Sequence, residues 1–165
     1  MTFEEYAFAR TSALVRLARL LTGDEHRAED LVQDVLAQAY ARWGRIARTD
    51  RPDAYVRRML VNAHNSWWRR RSSREIAVAV VLDEAGTMDE ADGVAERDAL
   101  WRLVCALPAR QRTVIVLRYY EDLDDTSIAE ILACSAGTVR THASRALAAL
   151  RQRQLAETLA RAGES

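Results

Sequence analysis

Arg140, Thr141, Ser144 and Arg145 stand at offsets of one, four and five along the chain. On a helix that spacing gathers them on one face. Their chemistry suits duplex DNA: an arginine fork fits the O6/N7 edge of guanine or a phosphate, and hydroxyls fit either base edges or phosphate oxygens. A bidentate contact from Arg140 or Arg145 to guanine is worth about 1–3 kcal/mol of discrimination. Thr138 and the free amides at the start of the same helix suit a phosphate. A solvated amphipathic helix also carries arginines, so the elements around this face must decide.

A second group lies mid-chain, where Arg58, Asn62, Asn65 and Ser66 fall near one face with Arg69 and the pair Trp67-Trp68. Amides and a hydroxyl for unstacked bases, rings for stacking and arginines for phosphates are the parts of a single-strand site. One tryptophan is expected in the core instead. Two acidic groups, Asp30/Asp34 and Asp122/Asp124/Asp125, have spacings that could share a metal, but solvated helix faces show the same pattern routinely. His26, His64 and His142 are scattered, without a nucleophile, base and orienter. No catalytic residue, metal or cofactor is expected.

The elements that must position these groups read as helices almost throughout, and no strand pattern stands out. Thr2 with Glu5 is a capping-box start, and Gly23 ends that helix after the stripe Tyr6, Ala13, Leu14, Leu17 and Leu21. Asp24 can cap a second helix that repeats apolar residues at Ala28, Leu31, Val32, Val35, Leu36, Ala39, Tyr40 and Trp43, with Asp30, Gln33, Asp34 and Gln38 opposite. A basic loop, Gly44–Arg51, leads to Pro52 as first residue of a third helix burying Tyr55, Val56, Met59, Leu60 and Ala63. Period is lost over 75–97, where Ile76–Leu82 reads as a strand or helix turn. Helix resumes at Leu100, breaks at Pro108 and returns with Val114, Leu117 and Tyr120. Asp124 then caps a short helix, and Ser135 caps a last one with the inner face Val139, Ala143, Ala146, Leu147 and Leu150. Short helix, tight turn, longer helix is a helix-turn-helix spacing.

Composition divides the chain the same way. All 24 basic residues are arginine, and they balance 24 acids over 165 residues. Residues 1–74 hold 14 Arg against 9 acids, 75–98 one against 8, and 99–165 nine against 7. Two basic blocks around an acidic connector fit two polyanion-facing modules, although a plain solvated linker would look alike. The expected fold is all-α: two small helical domains, 1–74 and 98–165, joined by an acidic linker over 75–97. The N-terminus lacks the pattern of a signal peptide, and the longest apolar run, seven residues, falls far short of the ~20 a spanning helix needs. Cys105 and Cys134 have no disulfide or zinc spacing and read as small buried residues. A cytoplasmic protein without membrane insertion is expected.

Two blocks of sequence carry a family resemblance. Ala28-Glu29-Asp30-Leu31-Val32-Gln33-Asp34 with Tyr55-Val56-Arg57-Arg58-Met59-Leu60-Val61-Asn62 resembles region 2 of extracytoplasmic-function (ECF) sigma factors. Leu107-Pro108-Ala109-Arg110-Gln111-Arg112 through Leu117-Arg118-Tyr119-Tyr120 is similar to the opening of their region 4. Ile128-Ala129-Glu130-Ile131-Leu132, Gly137-Thr138-Val139-Arg140 and Ser144-Arg145-Ala146 resemble its helix-turn-helix. The likeness covers nearly the whole chain, and the Trp67-Trp68-arginine ending looks like an actinobacterial branch.

That resemblance implies a dissociable initiation subunit of bacterial RNA polymerase. By it, Asp30, Gln33 and Asp34 dock on the clamp helices of core polymerase, Asn62 and Ser66 contact the melted −10 element, and the Gly44–Arg51 loop holds an unstacked base. Arg140, Thr141, Ser144 and Arg145 read the −35 element, and the apolar surface around Leu103, Val114 and Leu117 receives the flap tip. The acidic linker lies in the RNA-exit path; whether an anti-sigma factor also binds is left open. Departures from the family pattern are Ala133 where glycine is common, Ser127 for Glu, and a small Ala143. The rival readings are a stand-alone helix-turn-helix regulator, with 1–74 for dimerisation, and a metal-dependent nuclease.

Overall fold

In the computed structural model, residues 1–75 and 95–163 are described. They form α1 (Phe3–Thr22), α2 (Glu25–Ala41), α3 (Trp43–Ile46), α4 (Pro52–Glu75), α5 (Ala95–Cys105), α6 (Ala109–Ile115), a π-helical turn (Val116–Tyr120), α7 (Asp125–Leu132) and α8 (Ala136–Gly163). The chain divides into two compact units, the first holding α1–α4 and the second everything from α5. Most of the acidic connector, with the run Ile76–Leu82, lies outside the described residues. Helix enters that stretch from both sides, since α4 reaches Glu75 and α5 begins at Ala95.

In the first unit the local signals act as written. The Thr2 side chain accepts from the Glu5 amide while the Glu5 carboxylate accepts from the Thr2 amide at 2.8 Å. Gly23 closes α1 in the left-handed region at φ 68°, and Asp24 caps α2 through the Arg27 amide at 3.1 Å. α1, α2 and α4 pack around Leu14, Leu17, Leu21, Val32, Val35, Val56 and Leu60, each at most 1% exposed. Three expectations change here. The basic loop contains a helical turn, α3, because Ile46 plugs the core at 0% exposure. Tyr40 is 63% exposed, its ring edge-on to Phe3. On α4, Tyr55, Met59 and Ala63 are only half-buried, whereas Val61, His64 and Asn65 are buried.

In the second unit α6 and α7 pack on α8, and the π turn continues α6 and meets α7. Leu117, Ile128, Val139, Ala143 and Ala146 are fully buried, so the small Ala143 sits at a closely packed crossing. Pro108 ends the turn after α5 and opens α6. Asp124 caps α7 through the Ser127 amide at 2.7 Å, a bond that holds its carboxyl below the usual range. α7 ends on Ala133 in the left-handed region, φ 52° and ψ 48°, the conformation glycine would take without strain. Of the two cysteines, Cys105 is buried and Cys134 is only partly so.

Candidate nucleic-acid interface

α8 delivers its polar face as the spacing requires. Val139, Ala143 and Ala146 are 0% exposed, while Thr138, Arg140, Thr141, Ser144 and Arg145 all face solvent. Neither Arg140 nor Arg145 has a carboxylate partner among the described residues. The Ser135 hydroxyl oxygen accepts from the Thr138 amide at 3.1 Å, so that amide is not free for a phosphate and the expectation narrows to the preceding ones. Thr141 donates its hydroxyl to the Gly137 carbonyl at 3.0 Å, which leaves its lone pairs and methyl for an outside partner. Burial first, then the guanidiniums of Arg110 and Arg145, holds the His142 imidazole below its ordinary value. It therefore stays neutral near pH 7 and adds no charge to this face.

The first unit brings its candidates together in a cleft of about 600 Å³ between α2 and α4. Arg58, Asn62 and Ser66 line it from α4 and Asp34 from α2, over a floor that includes Leu31, Tyr55 and Met59. Arg42 and Arg70 join at the rim, so three guanidiniums face one carboxylate and none of the three is ion-paired among the described residues. Such an excess of free donors over an apolar floor suits a strand with phosphates outside and bases within. Spacing along α4 does not reveal Arg42, which comes from the end of α2.

Asn65 is 3% exposed and is not among the residues that line the cleft with Asn62 and Ser66. Trp67 and Trp68 are both half-buried, so neither is the expected core residue. Trp67 lines the cleft with Arg27 4.8 Å and Arg71 5.3 Å from its ring.

Asp30, Gln33 and Asp34 are all exposed on α2. The proposed flap-tip surface does not survive intact: Val114 and Leu117 are 0% exposed core residues, and only Leu103 is partly open. Arg112 was missed by spacing altogether. It is 6% exposed and donates through Nη1 to the carbonyls of Cys105 and Leu107 at 3.2 Å each, tying the α5–α6 turn to α6. Among the described residues no three His, Cys, Asp or Glu side chains group to hold a metal, and no helix is long and apolar enough to cross a membrane.

Two bodies with these faces fall into a known class. Sigma-70 region 2 matches residues 9–74, and Sigma-70, region 4 matches residues 97–150. The RNA polymerase sigma-E factor of Streptomyces coelicolor is 40% identical over 159 residues, covering 96% of this chain and 89% of that protein. The ECF sigma factor SigL of Mycobacterium tuberculosis is 33% identical, covering 90% and 84%. Among solved structures, the sigma factor RpoE of Bartonella quintana, in complex with the anti-sigma factor NepR, superposes with a TM-score of 0.66 at 26% identity, covering 91% of this chain and 94% of that one. The chain belongs to the ECF sigma factors, the initiation subunits that bind core RNA polymerase and direct it to promoters.

Proposed function

We propose a division of labour within that activity. Residues 1–74 form the module for core polymerase and the −10 element, 75–97 the linker, and 98–165 the −35 module. Asp30, Gln33 and Asp34 bind the clamp helices; Arg58, Asn62 and Ser66, joined by Arg42 and Arg70, hold the melted strand; Thr138, Arg140, Thr141, Ser144 and Arg145 meet the duplex. The protein performs no covalent chemistry and works in the cytoplasm beside the polymerase. It favours open promoter DNA by binding it better than closed DNA. An anti-sigma factor, such as the one in complex with the Bartonella relative, is a third partner in this reading.

The observation that carries this reading is the α8 face, with five exposed polar side chains directly behind a fully buried inner row. The test mixes the purified chain with bacterial core polymerase and genomic DNA and maps transcript starts. The expected result is a set of starts sharing two upstream elements, absent when either component is omitted. Tight, sequence-specific duplex binding by the chain alone, with no new starts in the mixture, would instead identify a stand-alone regulator.

A further inference from the structure

Arg45 in α3 and Arg48 and Arg51 in the connection to α4 are exposed, none of them ion-paired among the described residues. Beyond α3, which Ile46 anchors in the core, the five residues 47–51 would ordinarily sample many shapes. Both ends of the Gly44–Arg51 segment, however, are fastened to the N-terminal stretch Met1–Tyr6. At the entry, the Trp43 ring lies 4.9 Å from Tyr6 and 5.6 Å from Phe3, and its Nε1 donates to the Met1 carbonyl at 3.2 Å. At the exit, Asp53 in the first turn of α4 accepts the Tyr6 hydroxyl at 3.1 Å.

Tyr6 thus touches both ends at once, its ring on Trp43 and its hydroxyl on Asp53, and it is 1% exposed. A phenylalanine would fill the same apolar space without a buried hydroxyl to satisfy. Nor does Asp53 need the phenol for its own charge, since the guanidiniums of Arg10 and Arg57 lie 3.8 and 4.0 Å away. What the hydroxyl adds is a connection across the loop.

We propose that Tyr6 is a positioning residue for promoter opening, a strut that holds the two ends of the Gly44–Arg51 loop at fixed separation so that Arg45, Arg48 and Arg51 are presented preorganised to the displaced strand. The inference rests on the reading that this loop engages melted DNA. With the ends fixed beforehand, less ordering cost falls on the binding step.

The experiment is a double-variant cycle in reconstituted holoenzyme, on a promoter found by the transcript mapping above, reading open-complex formation and core binding separately. Tyr6→Phe should bind core polymerase as the parent does but form open complexes about tenfold less well, the scale of one charge-assisted hydrogen bond. Replacing Arg45, Arg48 and Arg51 together by alanine should also lower opening. Adding Tyr6→Phe to that loop variant should then cost nothing more, an outcome that a general loss of stability would not produce. Trp43→Phe, which releases the other end, should behave in the same non-additive way. Full opening by Tyr6→Phe, or an undiminished loss when the loop arginines are already gone, rejects the strut alone. Full opening by the arginine variant rejects the loop's role in strand binding and the strut with it.

Discussion

Arg118 and Asp125 form the joint between the π-helical turn and the helix-turn-helix. The Arg118 Nη2 lies 3.1 Å from Asp125 Oδ2, with the two side chains 31% and 20% exposed, and the second Asp125 oxygen is buried without a partner. Arg118→Ala strands this carboxylate and should cost about 1–3 kcal/mol. Thermal unfolding measures the loss. The double replacement Arg118→Ala with Asp125→Ala should recover part of it, since no unpaired charge remains.

Ala133 invites the opposite change. A left-handed alanine at a helix end carries about 1–2 kcal/mol of strain that glycine does not, less roughly half to one kcal/mol for glycine's greater freedom when unfolded. Ala133 is exposed, so no packing is lost. Ala133→Gly should therefore stabilise the chain slightly, up to about 1.5 kcal/mol, as a rise in melting temperature. A fall would show that the backbone there is not strained.

Arg112→Met should destabilise by about 2–4 kcal/mol, because the carbonyls of Cys105 and Leu107 lose a charged donor where little water can replace it. Arg112→Lys should recover only part, since one ammonium does not reproduce the guanidinium's planar fork. Denaturant unfolding of the three proteins gives the order.

The two interfaces should separate by mutation. Arg140→Ala or Arg145→Ala should weaken −35-dependent initiation by about 1–3 kcal/mol while leaving core binding intact. Asp34→Ala should weaken co-migration with core polymerase first. Equal loss of both activities in every variant would contradict the assignment of separate faces.

Tyr6 should also leave a mark at high pH. Burial first, then the neighbouring Asp53 carboxylate that accepts its hydrogen bond, pushes the phenol well above the ordinary tyrosine value. The folded state therefore holds this proton more tightly than the unfolded chain. Its contribution to stability is full below the unfolded value, about 10, and is lost as pH rises from there through the folded value. Stability measured from pH 9 upward should fall less steeply in Tyr6→Phe than in the parent.

Much of this molecule is written in short stretches of chain. Thr2 with Glu5, Gly23, Asp24, Pro52, Asp124 and Ser135 mark helix ends because each satisfies or interrupts backbone groups within three or four residues of itself. The exposed face of α8 was legible for the same reason: helical period alone sets Arg140, Thr141, Ser144 and Arg145 opposite Val139, Ala143 and Ala146.

Periodicity fails where a helix has neighbours on two sides. α4 packs against both α1 and α2, so its apolar residues divide between a sealed core and the half-open cleft, and Asn65 falls on the sealed side while Asn62 and Ser66 do not. Val114 on α6 and Leu117 in the π turn are each 0% exposed, a matter of packing that spacing along the chain does not encode. Short-range signals thus mark most of the helices, their caps and the family, but not α3, the π turn or the start of α5. Tertiary structure decided which polar groups share a site: Arg42 with Asn62 in the lining of one cleft, Arg112 with the carbonyls of the turn before α6, and Tyr6 with Asp53 over 47 residues of chain. Helix signals are local, whereas a cleft or a strut exists only once separate segments have buried their apolar faces against one another.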